Sequence, residues 1–445
     1  MVKVVVLSVL FVFTFVDFVK ANNIFSEKFK NYIHDRVDSG ENKSIIVGIY
    51  NNGERSFYAY GLPYDNSPYK VSENSIYQIG SVTKVFTSLL FAQLSHLNEI
   101  TLEDKVGHYF PEKYNQHLFF KNITFRDLLS HTSGLPRLPT NLKIMDVYNP
   151  YEGYKKEQLE SYISSLEKNL PQLGTYGYSN LGYAILGYVI SNLKVKTFNQ
   201  ILKDNVLYPL HLENTFFYAS RLLPHHVTKG HVRGKEVPDW DFEAFQAAGG
   251  MYSSASDLLK FIIFNIQKDV LKKAIETTHK IYVDDTNIDG LKVALGWHIL
   301  SDVFYHNGET GGYASFIGFH AKKNIGVVVL TNSKRSVDDI GFSLLFDNYK
   351  LPPILKSIVI DKDELNKFVG RYYVNEDMDI IIGQYENILT FRVSSGGEEV
   401  KILPYEKNKF FVRGQDILID FQEESDAVRG LVFKFQNQSL EAQKK

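Results

Sequence analysis

Ile79-Gly80-Ser81-Val82-Thr83-Lys84, with the apolar run Val85 to Leu97 behind it, is the stretch that decides how this chain is read. The run predicts a helix. If Ser81 opens it, Lys84 lies one turn further on the same face, which brings a hydroxyl and an amine within hydrogen-bond reach. That pairs a nucleophile with its own base. The helix N-terminus adds unpaired N–H groups and a positive dipole end, which favour an anionic serine and disfavour a protonated lysine. Both effects point to acyl transfer. Ser-x-x-Lys also occurs where a serine merely caps a helix above a solvated lysine, so the rest of the chain has to decide.

On the N-terminal side, Ile24, Phe25, Phe29, Tyr32, Ile33 and Val37 recur at helical spacing and stop at Ser39-Gly40. Two β-like runs follow, Ser44 to Tyr50 and Arg55 to Tyr60, and Asn51-Asn52-Gly53 between them signals a hairpin. On the C-terminal side the pattern is mostly helical from Leu102 to about Ile288, with turn clusters at Gly134-Leu135-Pro136 and Ala248-Gly249-Gly250. From Gly296 the period switches to two. Trp297 to Leu300, Phe304 to His306, Ala314 to His320 and Ile325 to Thr331 read as successive antiparallel strands, and a helix over Ile340 to Tyr349 closes the unit. The fold class is therefore α+β: an antiparallel sheet flanked by N- and C-terminal helices, with an all-helical lobe inserted. Pro352-Pro353 marks a linker, beyond which seven short strands between Phe368 and Phe435 predict a small all-β barrel or sandwich. The expected units are 1–21, 22–352 and 353–445.

The first of these reads as a signal sequence: Met1-Val2-Lys3, an apolar run Val4 to Val16, and small residues near Ala21. The run is shorter than the ~20 residues a spanning helix needs. Export with cleavage near Ala21 is expected, to a periplasmic or secreted location, with no stable membrane insertion afterwards; an uncleaved N-terminal anchor is the competing reading. A chain of 445 residues supports two domains with a substantial core, and its formal charge of −2 leaves no basic stripe for a nucleic-acid partner. The absence of cysteine rules out disulfides, thiolate nucleophiles and cysteine-ligated metals. His225, His226 and His231 have no carboxylate among them at ligand spacing, so neither a metal nor a cofactor is expected. Asn42-Lys43-Ser44, Asn122-Ile123-Thr124 and Asn437-Gln438-Ser439 match the glycosylation pattern, with chance as the default.

Two further clusters stand where an acyl transferase needs them. Gly177-Tyr178-Ser179-Asn180-Leu181-Gly182 projects a phenol and an amide from one loop. Tyr178 can relay a proton to a leaving group, and Asn180 can hold an acyl-side amide and the lysine. In His306-Asn307-Gly308-Glu309, Gly308 would let substrate backbone lie flat against a strand. The N–H of Glu309 could pair with that of Ser81 as an oxyanion hole, and His306 would offer a donor to the substrate. The bland accounts are a helix cap beside a packing tyrosine, and a glycine-rich hairpin with a surface histidine.

Together the three clusters resemble the serine β-lactamase and penicillin-binding-protein superfamily, whose signature is Ser-x-x-Lys, Ser-Asp-Asn and Lys-Thr-Gly. Here the second element is Tyr-Ser-Asn and the third His-x-Gly, a combination similar to the class C β-lactamase relatives: D-aminopeptidases, D-Ala-D-Ala carboxypeptidases and esterases. Leu128-Leu129-Ser130-His131-Thr132-Ser133-Gly134-Leu135-Pro136 and Gly249-Gly250-Met251-Tyr252-Ser253-Ser254 also look like this family. The likeness covers about residues 23 to 350, and the C-terminal unit resembles the lipocalin-like barrels appended to some of these hydrolases.

The resemblance implies acylation of Ser81 by an amide or ester carbonyl, with Lys84 and Tyr178 as catalytic groups and Asn180, His306, Gly308 and Glu309 binding substrate. Lys84 must be neutral to take the serine proton. Bringing its pKa from ~10.4 to ~7 needs roughly 4–5 kcal/mol of differential interaction. Which of Lys84 and Tyr178 takes the proton first is left open by the sequence. Family members that bind carboxylate-bearing substrates commonly place a lysine where His306 stands, so weak or no β-lactamase activity is expected, with activity on carboxylate substrates rising as His306 protonates. The competing reading is a catalytically inactive protein that keeps the fold as a binding or docking module.

Overall fold

β1 (Ser44–Asn51) is buried on both faces, which is why it reads as an almost unbroken apolar run. Ile45, Val47 and Ile49 enter one core, with the helices Glu27–Asp38 and Asp338–Leu345; Ile46 and Tyr50 enter another, shared with the helical lobe. The computed structural model describes residues 24–445 except 112–117, 167–172, 219–225, 377, 395, 397, 426 and 436–437. The expected signal segment, His225 and Asn437 lie outside the described residues.

β1 turns through Asn52-Gly53, both at positive φ, into β2 (Glu54–Gly61). Two short strands, β3 (Ile76–Gln78) and, after the hairpin β4 (Gly230–Val232) and β5 (Lys235–Val237), β6 (Tyr252–Ser254), pair with each other inside the lobe. The main sheet is completed by β7 (Leu291–Val293), β8 (His298–Leu300), β9 (Val303–Glu309), β10 (Ala314–His320) and β11 (Ile325–Thr331), in the order β2-β1-β11-β10-β9-β8-β7. The longer helices of the lobe are Thr83–His96, Lys156–Ser165, Asn180–Lys194 and Ala255–Gln267. The terminal helices are clamped by Arg36. Its buried guanidinium donates to Asp339 (2.8 Å), the Ser336 carbonyl (2.7 Å) and Asn42 (2.8 Å). Asn42 is thereby buried and bonded, so its glycosylation pattern is a chance match.

The C-terminal unit is a closed antiparallel barrel of eight strands: β12 (Gly370–Asn375), β13 (Met378–Tyr385), β14 (Ile388–Val393), β15 (Val400–Glu406), β16 (Lys409–Phe411), β17 (Ile417–Glu424), β18 (Ala427–Phe435) and β19 (Gln438–Lys444). Sequence analysis finds seven of these. β19 is too polar to show a pattern, yet it closes the barrel by pairing with β12, Tyr372 opposite Lys444. The barrel has its own core around Phe368, Tyr372, Phe410 and Phe421. It touches the larger unit through Arg335 with Asp416, Arg233 with Glu398, and the Gly414 N–H with Glu41 (3.2 Å). Among the described residues no helix is long and apolar enough to cross a membrane.

Candidate active site

Ser81 does not open the α-helix directly. It sits in a single 3₁₀ turn, Gly80–Val82, that feeds the helix Thr83–His96. A 3₁₀ turn has three residues per turn, so residues three apart eclipse, which serves a Ser-x-x-Lys pair well. Lys84 Nζ donates to Ser81 Oγ at 3.1 Å and to the Ala248 carbonyl at 2.7 Å. The lysine is fully buried and, among the described residues, pairs with no carboxylate. Burial holds its pKa well below the usual lysine value, and the Arg137 guanidinium pushes in the same direction.

Tyr178 stands on the other side of the hydroxyl. Lys84 Nζ lies 4.9 Å from its ring centroid, and its phenol is near enough to Ser81 to feel that hydroxyl. Burial drives the phenol pKa up, against the smaller opposing pulls of Ser81 and Arg137. At neutral pH the phenol therefore keeps its proton while the lysine is poised to lack one.

The loop carrying Tyr178 is held by the segment His131 to Arg137. His131, at positive φ, accepts the Gly177 N–H on its carbonyl (2.8 Å) and the Ser179 N–H on Nδ1 (3.0 Å), and its ring lies 4.5 Å from that of Tyr178. Ser179, rather than Asn180, caps the helix Asn180–Lys194, accepting from Gly182 at 3.0 Å. Replacing His131 with alanine removes the Nδ1 acceptor and leaves the buried Ser179 N–H unpaired. We expect a loss of about 1–3 kcal/mol by chemical denaturation.

Asn180 differs from expectation in one respect. Its Nδ2 donates to Tyr151 at 3.1 Å and its buried Oδ1 takes no hydrogen bond, but the lysine is held by the Ala248 carbonyl instead. Gly308 also has another use. A Cβ there would lie 2.0 Å from the Ile79 carbonyl oxygen, which accepts from Ser315 Oγ at 2.8 Å, so the close approach belongs to the protein's own chain and not to substrate. Gly80 makes the reciprocal approach. At φ +50 its missing Cβ would stand 2.8 Å from the Glu309 nitrogen. The Thr310 N–H bonds the Tyr313 carbonyl, so Glu309 and Ala314 form a non-hydrogen-bonded pair and the Glu309 N–H points away from β10, toward Gly80-Ser81.

His306 joins the cluster, 6.4 Å from Tyr178 between ring centroids, but not as a donor. Its Nδ1 donates to the Asn307 carbonyl at 2.6 Å, which leaves Nε2 as a buried lone pair without a partner. Burial, His298 and Lys84 all keep it from protonating. His298, stacked on it at 5.0 Å, is pushed down to about 4 by burial and Lys84. The cation that acts on Lys84 and Tyr178 is Arg137, which sequence analysis passes over. Its guanidinium is exposed, lies 5.1 Å from the Tyr178 ring and, among the described residues, makes no ion pair. Its only sequence signal is its place directly after Gly134-Leu135-Pro136.

A serine bonded to a buried lysine, a phenol above both and a strand edge behind them, on this sheet with this insert, define the penicillin-binding class of fold. Residues 29–342 match the family described as Beta-lactamase, and the chain belongs to that family. It is 27% identical over 329 residues to the "Beta-lactamase" of Providencia stuartii, covering 65% of this chain and 82% of that protein. It is 22% identical over 419 residues to "Penicillin-binding protein 4*" of Bacillus subtilis, covering 84% and 88%. A solved structure, the octameric penicillin-binding protein homologue from Pyrococcus abyssi, superposes with a TM-score of 0.63 at 22% identity, covering 93% of this chain and 99% of that one; the barrel is thus part of the shared fold.

Proposed function

We propose that the protein is an exported serine hydrolase that works through a Ser81 acyl-enzyme on amides or esters of carboxylate-bearing acyl donors: D-amino-acid peptides, cell-wall fragments or related esters. The observation that carries this reading is the 3.1 Å contact between Ser81 Oγ and the amine of a fully buried lysine that has no counter-ion among the described residues. Lys84 Nζ takes the Ser81 proton as Oγ attacks the carbonyl. The N–H groups of Ser81 and Glu309 receive the oxyanion, and as the intermediate collapses Tyr178 hands its proton to the departing nitrogen or oxygen and takes up the one Lys84 holds, so both groups return to neutral. Water then hydrolyses the ester. This order, lysine first, follows from the opposite shifts of the two groups. Burying an amine at the cost of its charge is a burden that a docking module has no reason to carry.

Export rests on the Met1 to Ala21 pattern. The test of the whole reading is turnover of a p-nitrophenyl ester, D-alanyl amides and a penicillin by wild type and Ser81→Ala. Ester or D-amide turnover that vanishes in the variant supports it; no turnover of any of the three overturns it.

Two expectations follow from the charges. Arg137, in place of a lysine at position 306, attracts the substrate carboxylate, so Arg137→Gln raises KM for a carboxylate-bearing amide by about 10- to 100-fold and leaves a neutral ester within about twofold. Steady-state kinetics checks this, at a pH above the acid limb because Arg137 also depresses Lys84. The second concerns pH. The active lysine is neutral, so kcat/KM falls as pH falls through its lowered pKa, whereas His306 is already neutral at pH 7 and contributes no step between pH 6 and 8. The rise on His306 protonation that the sequence predicts would then fall below that range. His306→Gln leaves the shape of the profile over that range unchanged.

A further inference from the structure

Far from Ser81 in sequence, the β4–β5 hairpin sets His231 directly opposite Glu236, so their side chains share one face. The loop after β2 brings Asp65 to the same point, and its backbone N–H donates to Glu236 Oε1 at 3.0 Å. His231 is 1% exposed. Its Nδ1 lies 3.2 Å from the Asn332 carbonyl, and a carbonyl only accepts, so Nδ1 carries the hydrogen. Nε2 is then a lone pair, buried, without a hydrogen-bond partner among the described residues, and aimed at two carboxylates: 3.8 Å from Asp65 Oδ1 and 4.0 Å from Glu236 Oε1. A lone pair facing two anionic oxygens is an arrangement that a cation between them satisfies.

We infer that His231, Asp65 and Glu236 form a binding site for a divalent transition-metal ion of the Zn²⁺ type. The three ligand atoms lie within 4.8 Å of one another. Tetrahedral Zn²⁺ with N and O ligands at ~2.0–2.2 Å needs them ~3.4 Å apart, a contraction that rotation of the two exposed carboxylates supplies, with the fourth position left to solvent. The Nδ1–H bond to a backbone carbonyl is the outer contact that fixes a ligating histidine. The group that competes is Lys43, whose ammonium pairs with Asp65 and must swing aside for the ion to enter. An ion here ties the β4–β5 hairpin to the Asp65 loop. That hairpin also carries Gly230 against Gly312 in the turn between β9 and β10 and, through Arg233 and Glu398, meets the barrel. Sequence analysis expects no metal because it looks for carboxylates among the neighbouring histidines. Strand pairing and a distant loop provide them instead.

The full chain, stripped with chelator and desalted, is titrated with Zn²⁺ and with Co²⁺, and bound metal is counted by elemental analysis alongside melting temperature. The inference expects one ion per chain, a rise in melting temperature, and the visible absorption of four-coordinate Co²⁺. Glu236→Gln and Asp65→Asn, both at exposed positions, weaken binding by about 10-fold or more, and Lys43→Met tightens it. Substoichiometric metal in wild type, or equal binding by wild type and Glu236→Gln, overturns the site. These readouts do not involve Ser81, so they stand or fall apart from the hydrolase reading.

Discussion

Lys84→Met slows acylation of Ser81 by about 10²- to 10⁴-fold, the range general-base catalysis supplies, with the variant still folded and still binding substrate. Methionine matches the stem of the lysine in the buried slot but offers Ser81 Oγ no acceptor for its proton. Tyr178 is no substitute, because burial keeps its proton in place. Rapid-mixing measurement of the acylation phase with an activated ester checks this; a loss smaller than about tenfold would mean the lysine is not the base. The substitution also removes a pH term from stability. A base whose folded pKa lies below its unfolded value binds fewer protons when folded, so wild type loses stability as pH falls from about 10.5 toward the folded pKa, by up to about 1.4 kcal/mol per pH unit, and Lys84→Met lacks that slope.

Gly308→Ala is the second large effect, and it acts on the fold and the site together. The added methyl would stand 2.0 Å from the Ile79 carbonyl oxygen and 2.6 Å from Ser315 Oγ, both backed by rigid backbone or a buried hydrogen bond. Relief requires β9 and the turn before Ser81 to part by more than an ångström. That separates the Ser81 and Glu309 N–H groups, and losing one oxyanion donor costs about 10²- to 10³-fold in kcat. Overpacking of this kind costs about 1–3 kcal/mol in stability. Denaturant titration and ester turnover on the same preparation read both; a variant with wild-type kcat would show that Glu309 does not serve the oxyanion.

What the sequence made legible was local. Ser81 and Lys84 are three apart on a run that has to be helical, Tyr178 precedes an apolar helix by two residues, and β1 and β2 flank an Asn-Gly turn. These patterns survive because spacing alone fixes them. Burial, tautomer and cross-chain approach are not properties of spacing. His306 reads as a donor in sequence and is an acceptor in the fold because its own strand's carbonyl captures Nδ1. Gly308 reads in sequence as room for substrate, whereas the Ile79 carbonyl fills its space. β3 and β6, three residues each, are too short to show a period, yet their pairing brings Ala248 and Met251 up to Lys84 and Thr83. Arg137 and the Asp65, His231, Glu236 group become visible only when loops distant in the chain meet.

Intact-mass spectrometry of the protein quenched seconds after mixing with an activated acyl ester, followed by peptide mapping, tests the account most directly. It should show one acyl group, on the peptide containing Ser81, decaying as product appears and missing from Ser81→Ala. Ester turnover with no adduct on that peptide, or an equal adduct on Ser81→Ala, would contradict it.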